Sequence, residues 1–474
     1  MPARLALGCA RQTGSGRAST PELPSRYRRS LTLMRWPWSS ASDNQDDRPI
    51  IFPTNSVQRG PGVHNNQRVH RFLTLTIIDQ AVSSVSNFLL AVIIAHYNNA
   101  TNLGYYALVF TTYALVIGVS RSLTSDCLLT RSSIPNQSAR REQGGYLFAL
   151  IISSAVSLVI LGASVGMSGS LQILFLTLAC TLPFMAVQDY SRYIGISRHK
   201  PNYAIKLDIA WLVLFILSVV ILHALGLVAV TWLFGAWAAA GAIIGAATAR
   251  PHLVLSGTLG RLRYWMANER SVGLRFSIQF MLNSGVSQAC IYFLAVIVSV
   301  QAVGWIKLAQ LALGPIAVIV TGAQSALIAS GHQRWQSGPR ALIRFISLAG
   351  IGMAGSALLW TILVYLMPLK VGSSLLGSAW PEARHLVLWI GIGLVLGNFA
   401  AAAAAGLRAM RAAREGLLLA LAMVPVTILT CLGGAAIYGA KGFAIGTTIS
   451  YFVLAILGSY VFFRSTHVKS PDPT

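Results

Sequence analysis

Residues 71–131 read RFLTLTIIDQAVSSVSNFLLAVIIAHYNNATNLGYYALVFTTYALVIGVSRSLTSDCLLTR, and the rest of the chain is read from this stretch. Two apolar runs, each long enough to cross a bilayer at about 20 residues per helix, are joined by a short uncharged turn from Asn98 to Leu103. The hairpin is not uniformly apolar. Asp79 and Arg121 sit inside the runs, and Gln80, Ser83, Ser84 and Asn87 recur at helical spacing on the first. A charge in hydrocarbon costs at least about 2.5–3.5 kcal/mol on insertion scales, so it normally faces a partner or a watery cavity.

The whole chain agrees with a membrane reading. Its 474 residues are 55% hydrophobic and only 10% charged, with a mean hydropathy of +0.63. Such a composition excludes an ordinary soluble domain. Cys9, Cys127, Cys180, Cys290 and Cys431 are scattered without paired spacing or nearby histidines, so they read as small buried hydrophobes. No metal and no cofactor is expected. The net charge of +23 invites a nucleic-acid reading, but the arginines lie between apolar runs and mark topology instead.

Twelve spans are expected, over 71–97, 103–128, 145–167, 170–195, 203–225, 228–249, 271–299, 303–328, 340–368, 384–407, 414–438 and 441–463. Basic residues crowd the connections after even-numbered spans: Arg131, Arg140 and Arg141, then Arg198 and Lys200, Arg261 and Arg263, Arg334, Arg408 and Arg411. The opposite connections carry little beyond Lys370 and Lys441. The positive-inside rule then puts both termini in the cytoplasm.

The expected fold class is therefore all-α, a polytopic membrane protein. Residues 1–66, rich in Arg, Ser, Pro, Asn and Gly, read as a disordered basic cytosolic tail. Met34 as the true initiator is the alternative for their first part. Residues 67–250 form a first six-helix bundle, 251–270 a cytosolic amphipathic linker, 271–464 a second six-helix bundle, and 465–474 a cytosolic tail.

The two bundles read as a duplication. A shift of 204 residues places Arg71-Phe72 on Arg275-Phe276 and Leu90-Ala91-Val92-Ile93 on Leu294-Ala295-Val296-Ile297. After a shorter turn, a shift of 200 matches Gly104 to Gly304 and Leu108 to Leu308. Spans one and seven share an orientation, so the repeats are parallel, and a substrate path is expected in a central cleft between them.

Asp79, Gln80, Ser83 and Asn87 on span one, and Gln279, Asn283 and Ser287 on span seven, form polar stripes at helical spacing. They read as cavity lining, with hydrogen bonding between packed helices as the other account. Asp79 and Arg121 lie level on adjacent spans, which predicts an ion pair. That pair either locks the hairpin or exchanges, Arg121 releasing the carboxylate to take a phosphate in the same forked geometry. Asp79 is also the candidate coupling group. Asp189, Arg192, Lys206 and Asp208 read as interfacial charges at the cytoplasmic mouth, Lys307 as a snorkelling residue, and Gly314-Pro315 as a hinge.

Asp79-Gln80-Ala81-Val82-Ser83-Ser84, Leu103-Gly104-Tyr105-Tyr106-Ala107-Leu108 and Ser120-Arg121-Ser122-Leu123 resemble the opening of bacterial polysaccharide exporters, and Val303-Gly304 through Pro315 resembles the start of their second half. These belong to the multidrug/oligosaccharidyl-lipid/polysaccharide (MOP) exporter superfamily. The resemblance implies a cleft lined mainly by spans one, two, seven and eight. It also implies flipping of a lipid-linked oligosaccharide or polysaccharide precursor to the outer leaflet by alternating access, in a bacterial inner membrane. The partners would be that glycan, the bilayer and polysaccharide-assembly enzymes. No enzymatic activity is expected, and no phosphate-binding G-x-x-x-x-G-K-[ST] loop occurs. The alternative is a multidrug or small-molecule cation antiporter of the same superfamily. An integral-membrane glycosyltransferase or polymerase ranks below it.

Overall fold

The structure, a computed structural model, describes residues 83–130, 138–198, 200–249 and 258–468. The described residues are helical almost throughout. The helices are α1 (Ser83–Tyr97), α2 (Ala100–Leu123), α3 (Ser125–Thr130), α4 (Ser138–Ser164), α5 (Gly169–Ser197), α6 (Pro201–Ala224) and α7 (Val230–Ala249). There follow α8 (Thr258–Phe280), α9 (Val286–Ile297), α10 (Val300–Ala312), α11 (Gly314–Gln336), α12 (Pro339–Leu366), α13 (Leu369–Leu376), α14 (Trp380–Ala409) and α15 (Ala413–Val468). The tail 1–66, Asp79, Gln80 and Arg131 lie outside the described residues.

Nine of the described helical stretches are long and apolar enough to cross a membrane. They turn apolar side chains outward, as a protein solvated by lipid must: Val296 is 83% exposed and Val159 71%. Among the described residues the expected count of twelve is reached by also counting α1, described from Ser83 to Tyr97, α10 with α11 as one broken span, and the two arms of α15 separately. Those arms meet at Tyr438 and Gly439, where Gly439 takes φ +59°, a conformation open to glycine at no steric cost.

One expected boundary is absent. The linker ending at residue 270 and the span beginning at 271 form a single run, α8 passing through a π-helical turn (Met281–Gly285) into α9. The reason is packing. Trp265 on α8 is fully buried, close to Gly144 and Gly145 of α4, and Arg141 on α4 donates to Glu269 at 2.8 Å. The face read as lying on a membrane surface is thus held against the first half.

The repeat is visible where α2 and α10 begin. Asn99 caps α2, its side chain accepting from the Asn102 N–H at 2.9 Å, and its repeat partner Ser299 caps α10 through the Ala302 N–H at 3.1 Å. Each cap satisfies one of the N–H groups a helix start leaves open. One turn on, the helices cross with their backbones in contact. A Cβ on Gly104 would strike the Val300 carbonyl oxygen, and a Cβ on Gly304 would strike the carbonyl oxygen of Ala100, the repeat partner of Val300. Glycine inside a helix costs about 0.5–1 kcal/mol relative to alanine, so close approach explains its presence on both sides.

The halves are filled differently. The centre of the first holds a cluster of rings from Tyr106, Phe110, Tyr113, Phe234 and Trp237, with Trp211 tilted against Trp237 and donating its indole N–H to the Trp237 carbonyl at 2.9 Å. The repeat partners of Tyr106, Phe110 and Tyr113 are Ile306, Gln310 and Leu313, and Ile306 and Gln310 border open space instead.

The crossing predicts an asymmetric glycine response. Gly104→Ala and Gly304→Ala should each lower stability by about 1–3 kcal/mol, the cost of overpacking, read as earlier thermal unfolding in detergent. Gly162→Ala, where a Cβ would meet nothing within 4 Å, should leave unfolding unchanged or later.

Candidate functional site: a cation-lined cavity

A cavity of about 630 Å³ opens between α2, the α8–α9 run, α10, α14 and both arms of α15. It begins directly beneath the glycine crossing. Lys307, one turn after Gly304, lines it, as does Phe110 of α2, with the Lys307 Nζ 4.9 Å from the Phe110 ring centroid. Gln310 follows one turn further along α10. At the other end lie Arg408, in the last turn of α14, and Arg411, in the turn to α15. Arg411 has φ +55°, a left-handed conformation that costs a non-glycine residue roughly 1–2 kcal/mol. Strain of that kind persists where surrounding structure enforces it, frequently at functional sites.

Three cations therefore line the cavity, and no carboxylate does so among the described residues. Lys307 has no ion-pair partner among them either. The apolar part of the wall comes from small α14 residues, Ala400, Ala401 and Ala404, and from Val303 and Ile306.

Of the residues singled out in the sequence, Gln279, Asn283 and Ser287 all line this cavity. Asn283 lies within the π-helical turn, a distortion often found at functional sites. Ser83 and Asn87 are half-buried on α1 and do not border the cavity; among the described residues the lining draws on spans two, seven, eight, ten, eleven and twelve. Gly314 and Pro315 open α11 after a break at Leu313. The loosened Ala312 carbonyl accepts the Trp360 indole N–H at 3.1 Å, which is how a membrane helix tolerates such a break.

Arg121 lies apart from the cavity; the partner expected for it, Asp79, lies outside the described residues, and within them Arg121 meets Asp189. Its guanidinium forks onto Asp189, with Nη2 to Oδ1 at 2.7 Å and Nε to Oδ2 at 3.2 Å. Asp189 also lies 3.7 Å from Arg192, which reaches Asp208 at 2.9 Å, and Gln188 donates to Asp208 at 3.1 Å. Asp189, Arg192 and Asp208 are buried, not interfacial. Among the described residues two arginines against two aspartates make this a neutral cluster, joining α2, α5 and α6. Its charges are already matched, so it ties helices together and presents no free fork.

Sequence reasoning passed over Lys307, Gln310, Arg408 and Arg411 as cavity residues. A signal existed for the first. Lys307 lies seven residues into α10, about 10 Å from the helix start at 1.5 Å per residue. That is too deep for a residue that only snorkels to the nearer surface, and Gln310 shares its face.

Fold and cavity together define a polytopic helical bundle of the kind built by MOP-superfamily transporters. An inward-facing multidrug-resistance MATE transporter of that superfamily superposes with a TM-score of 0.61 at 15% identity, over 84% of this chain and 98% of its own. The lipid II flippase MurJ in an inward closed conformation gives 0.60 at 11% identity, over 83% and 90%. A MOP-superfamily transporter from Pyrococcus furiosus, described by a binding pocket of reversed polarity that suggests a different function, gives 0.55 at 15% identity over 85% and 96%. No family model matches the sequence, and no curated protein matches it. The chain thus has the fold of the MOP transporters, recognised from its shape.

The neutral cluster generates a stability prediction. Asp208→Ala removes an acceptor from buried Arg192 and should cost about 3–5 kcal/mol, as breaking one side of a buried pair does. Lys206→Ala, exposed on the same helix, should leave thermal unfolding in detergent unchanged.

Proposed function

We propose that the protein moves the phosphate-bearing headgroup of a lipid-linked glycan across a bacterial inner membrane by alternating access, with both termini in the cytoplasm. The observation that carries this reading is the cavity's charge: Lys307, Arg408 and Arg411, with no carboxylate among the described lining residues. Among the described lining residues a cationic drug would find no counter-ion and three like charges. An anionic phosphate finds charge-assisted partners, each worth about 1.5–3 kcal/mol.

The remaining lining suits a sugar. Gln279, Asn283, Ser287 and Gln310 offer hydroxyl and amide groups to a glycan, while the lipid tail stays in the bilayer. The volume falls within the roughly 300–1,000 Å³ usual for small-ligand sites, which fits a short headgroup rather than a finished polymer. Outward movement of negative charge in an inside-negative cell is downhill by about 2.3 kcal/mol per charge per 100 mV, so no nucleotide hydrolysis by this chain is needed.

Two structural neighbours mark the choice. MurJ is a lipid II flippase and the MATE protein a multidrug-resistance transporter, and the wall's polarity favours the first kind of cargo. Polysaccharide-assembly enzymes of the same membrane are the expected partners on this reading.

The test uses proteoliposomes loaded with a fluorescent polyprenyl-diphosphate-linked sugar. Lys307→Gln and Arg408→Gln should each weaken binding about 10-fold to 100-fold, the loss of one charge-assisted contact, and slow flipping accordingly. Depletion in cells should accumulate a lipid-linked glycan in the inner leaflet. Unchanged flipping in both variants, or uptake of an organic cation in place of the glycan, would overturn the proposal.

A further inference from the structure

The cavity is long, and its cations stand at opposite ends. The first arm of α15 borders it turn after turn from Ala413 to Cys431, about 27 Å of helix at 1.5 Å per residue. Arg408 and Arg411 stand at the Ala413 end. Lys307 stands at the other. Helices α10 and α14 both start beside the turn between α1 and α2, where a Cβ on Gly304 would strike the Ala100 carbonyl and one on Gly377 the Ala95 carbonyl. From there Lys307 lies seven residues along α10 and Arg408 twenty-eight along α14, a difference of about 30 Å.

A single diphosphate does not span that gap. It is two phosphorus tetrahedra sharing one oxygen, and it suits the mouth, where forked guanidinium groups match phosphate oxygens in pairs. Lys307 is left to a different part of the cargo. Its Nζ lies 4.9 Å from the Phe110 ring centroid. Val303 and Ile306 precede it on the wall, Gln310 follows, and no described lining residue is a carboxylate. A neutral sugar placed there leaves the ammonium without a counter-charge in a mostly apolar setting, which is costly. A carboxylate compensates it through a charge-assisted contact, and a compact ammonium needs no forked geometry to make one.

Given a lipid-linked cargo, as proposed above, we infer that Lys307 and Gln310 form a second anion station, which takes the carboxylate of an acidic sugar. The cargo is a short acidic oligosaccharide. Its diphosphate rests at Arg408 and Arg411, and a uronic acid several sugars away reaches Lys307. Both ends of the cavity contribute to one bound state only when the cargo carries an anion at each. The loss expected for Lys307→Gln then falls on acidic glycans.

The experiment measures binding to the purified full chain in nanodiscs with two probes. One is a polyprenyl-diphosphate-linked oligosaccharide ending in a uronic acid. The other is the same molecule with that carboxyl group reduced to a primary alcohol. The wild type should bind the acidic probe about 10-fold to 100-fold more tightly, the gain of one charge-assisted contact. Lys307→Gln should make the two affinities equal, and Lys307→Arg should keep the preference. Arg408→Gln should weaken both probes and leave their ratio as in the wild type. Equal affinities in the wild type, or a preference that survives Lys307→Gln, overturn the second station and leave transport of a diphosphate-linked glycan standing. Binding of neither probe overturns both readings.

Discussion

Two helix backbones in contact set the geometry of this protein. At Gly104 and Gly304 the starts of α2 and α10 meet so closely that neither position has room for a methyl group. In hydrocarbon no hydrophobic force drives helices together, and small residues that let backbones approach are the usual device. Here the device is doubled by the repeat, each glycine facing the residue four before its counterpart. Below the crossing the same two helices part, and Phe110, Thr111, Lys307 and Gln310 face the cavity that results. The turn before α2 is secured separately. Asn98 accepts from the Val230 N–H at 3.0 Å and donates to the Val228 carbonyl at 3.1 Å, fastening the hairpin to the start of α7.

Charge is handled in two ways within one bilayer-sized body. In the first half, Arg121, Asp189, Arg192 and Asp208 neutralise each other, which is the least costly way to keep ions away from water. In the second half, Lys307, Arg408 and Arg411 face a cavity with no acidic residue on its described wall. The contrast separates ions that pair with one another from cations that line the cavity. It also explains why Arg121, the most conspicuous charge of the hairpin sequence, is not part of the cavity.

Much of the architecture was legible because its signals are local. Spacing of apolar runs gave the helices, and the break between residues 438 and 441 reappears at Tyr438 and Gly439. The match of Gly104 to Gly304 reappears as a physical contact. The stripe of Gln279, Asn283 and Ser287 was found because helical periodicity places those residues on one face, and that face borders the cavity. What was not legible depends on tertiary neighbours. Nothing along the chain says that Asp189, 68 positions from Arg121, is the carboxylate that reaches it. The continuity of α8 into α9 was hidden because Trp265, amphipathic in pattern, finds its apolar surroundings on α4 and not in lipid. Arg408 and Arg411 were absorbed by the topology signal, since a basic residue at a span end carries that signal whether or not it also faces a cavity.

The unequal filling of the halves has a consequence for how the duplication has been used. Tyr106 and Phe110 help to fill the first half with rings, while their partners Ile306 and Gln310 leave the second half open. A cargo lodged there never meets a pseudo-twofold environment. It sees a handed chamber, with an ammonium at the apex and guanidinium groups at the mouth. One half has become masonry and the other a vestibule, whose two ends differ in the chemistry of their cations, one ammonium against two guanidinium groups.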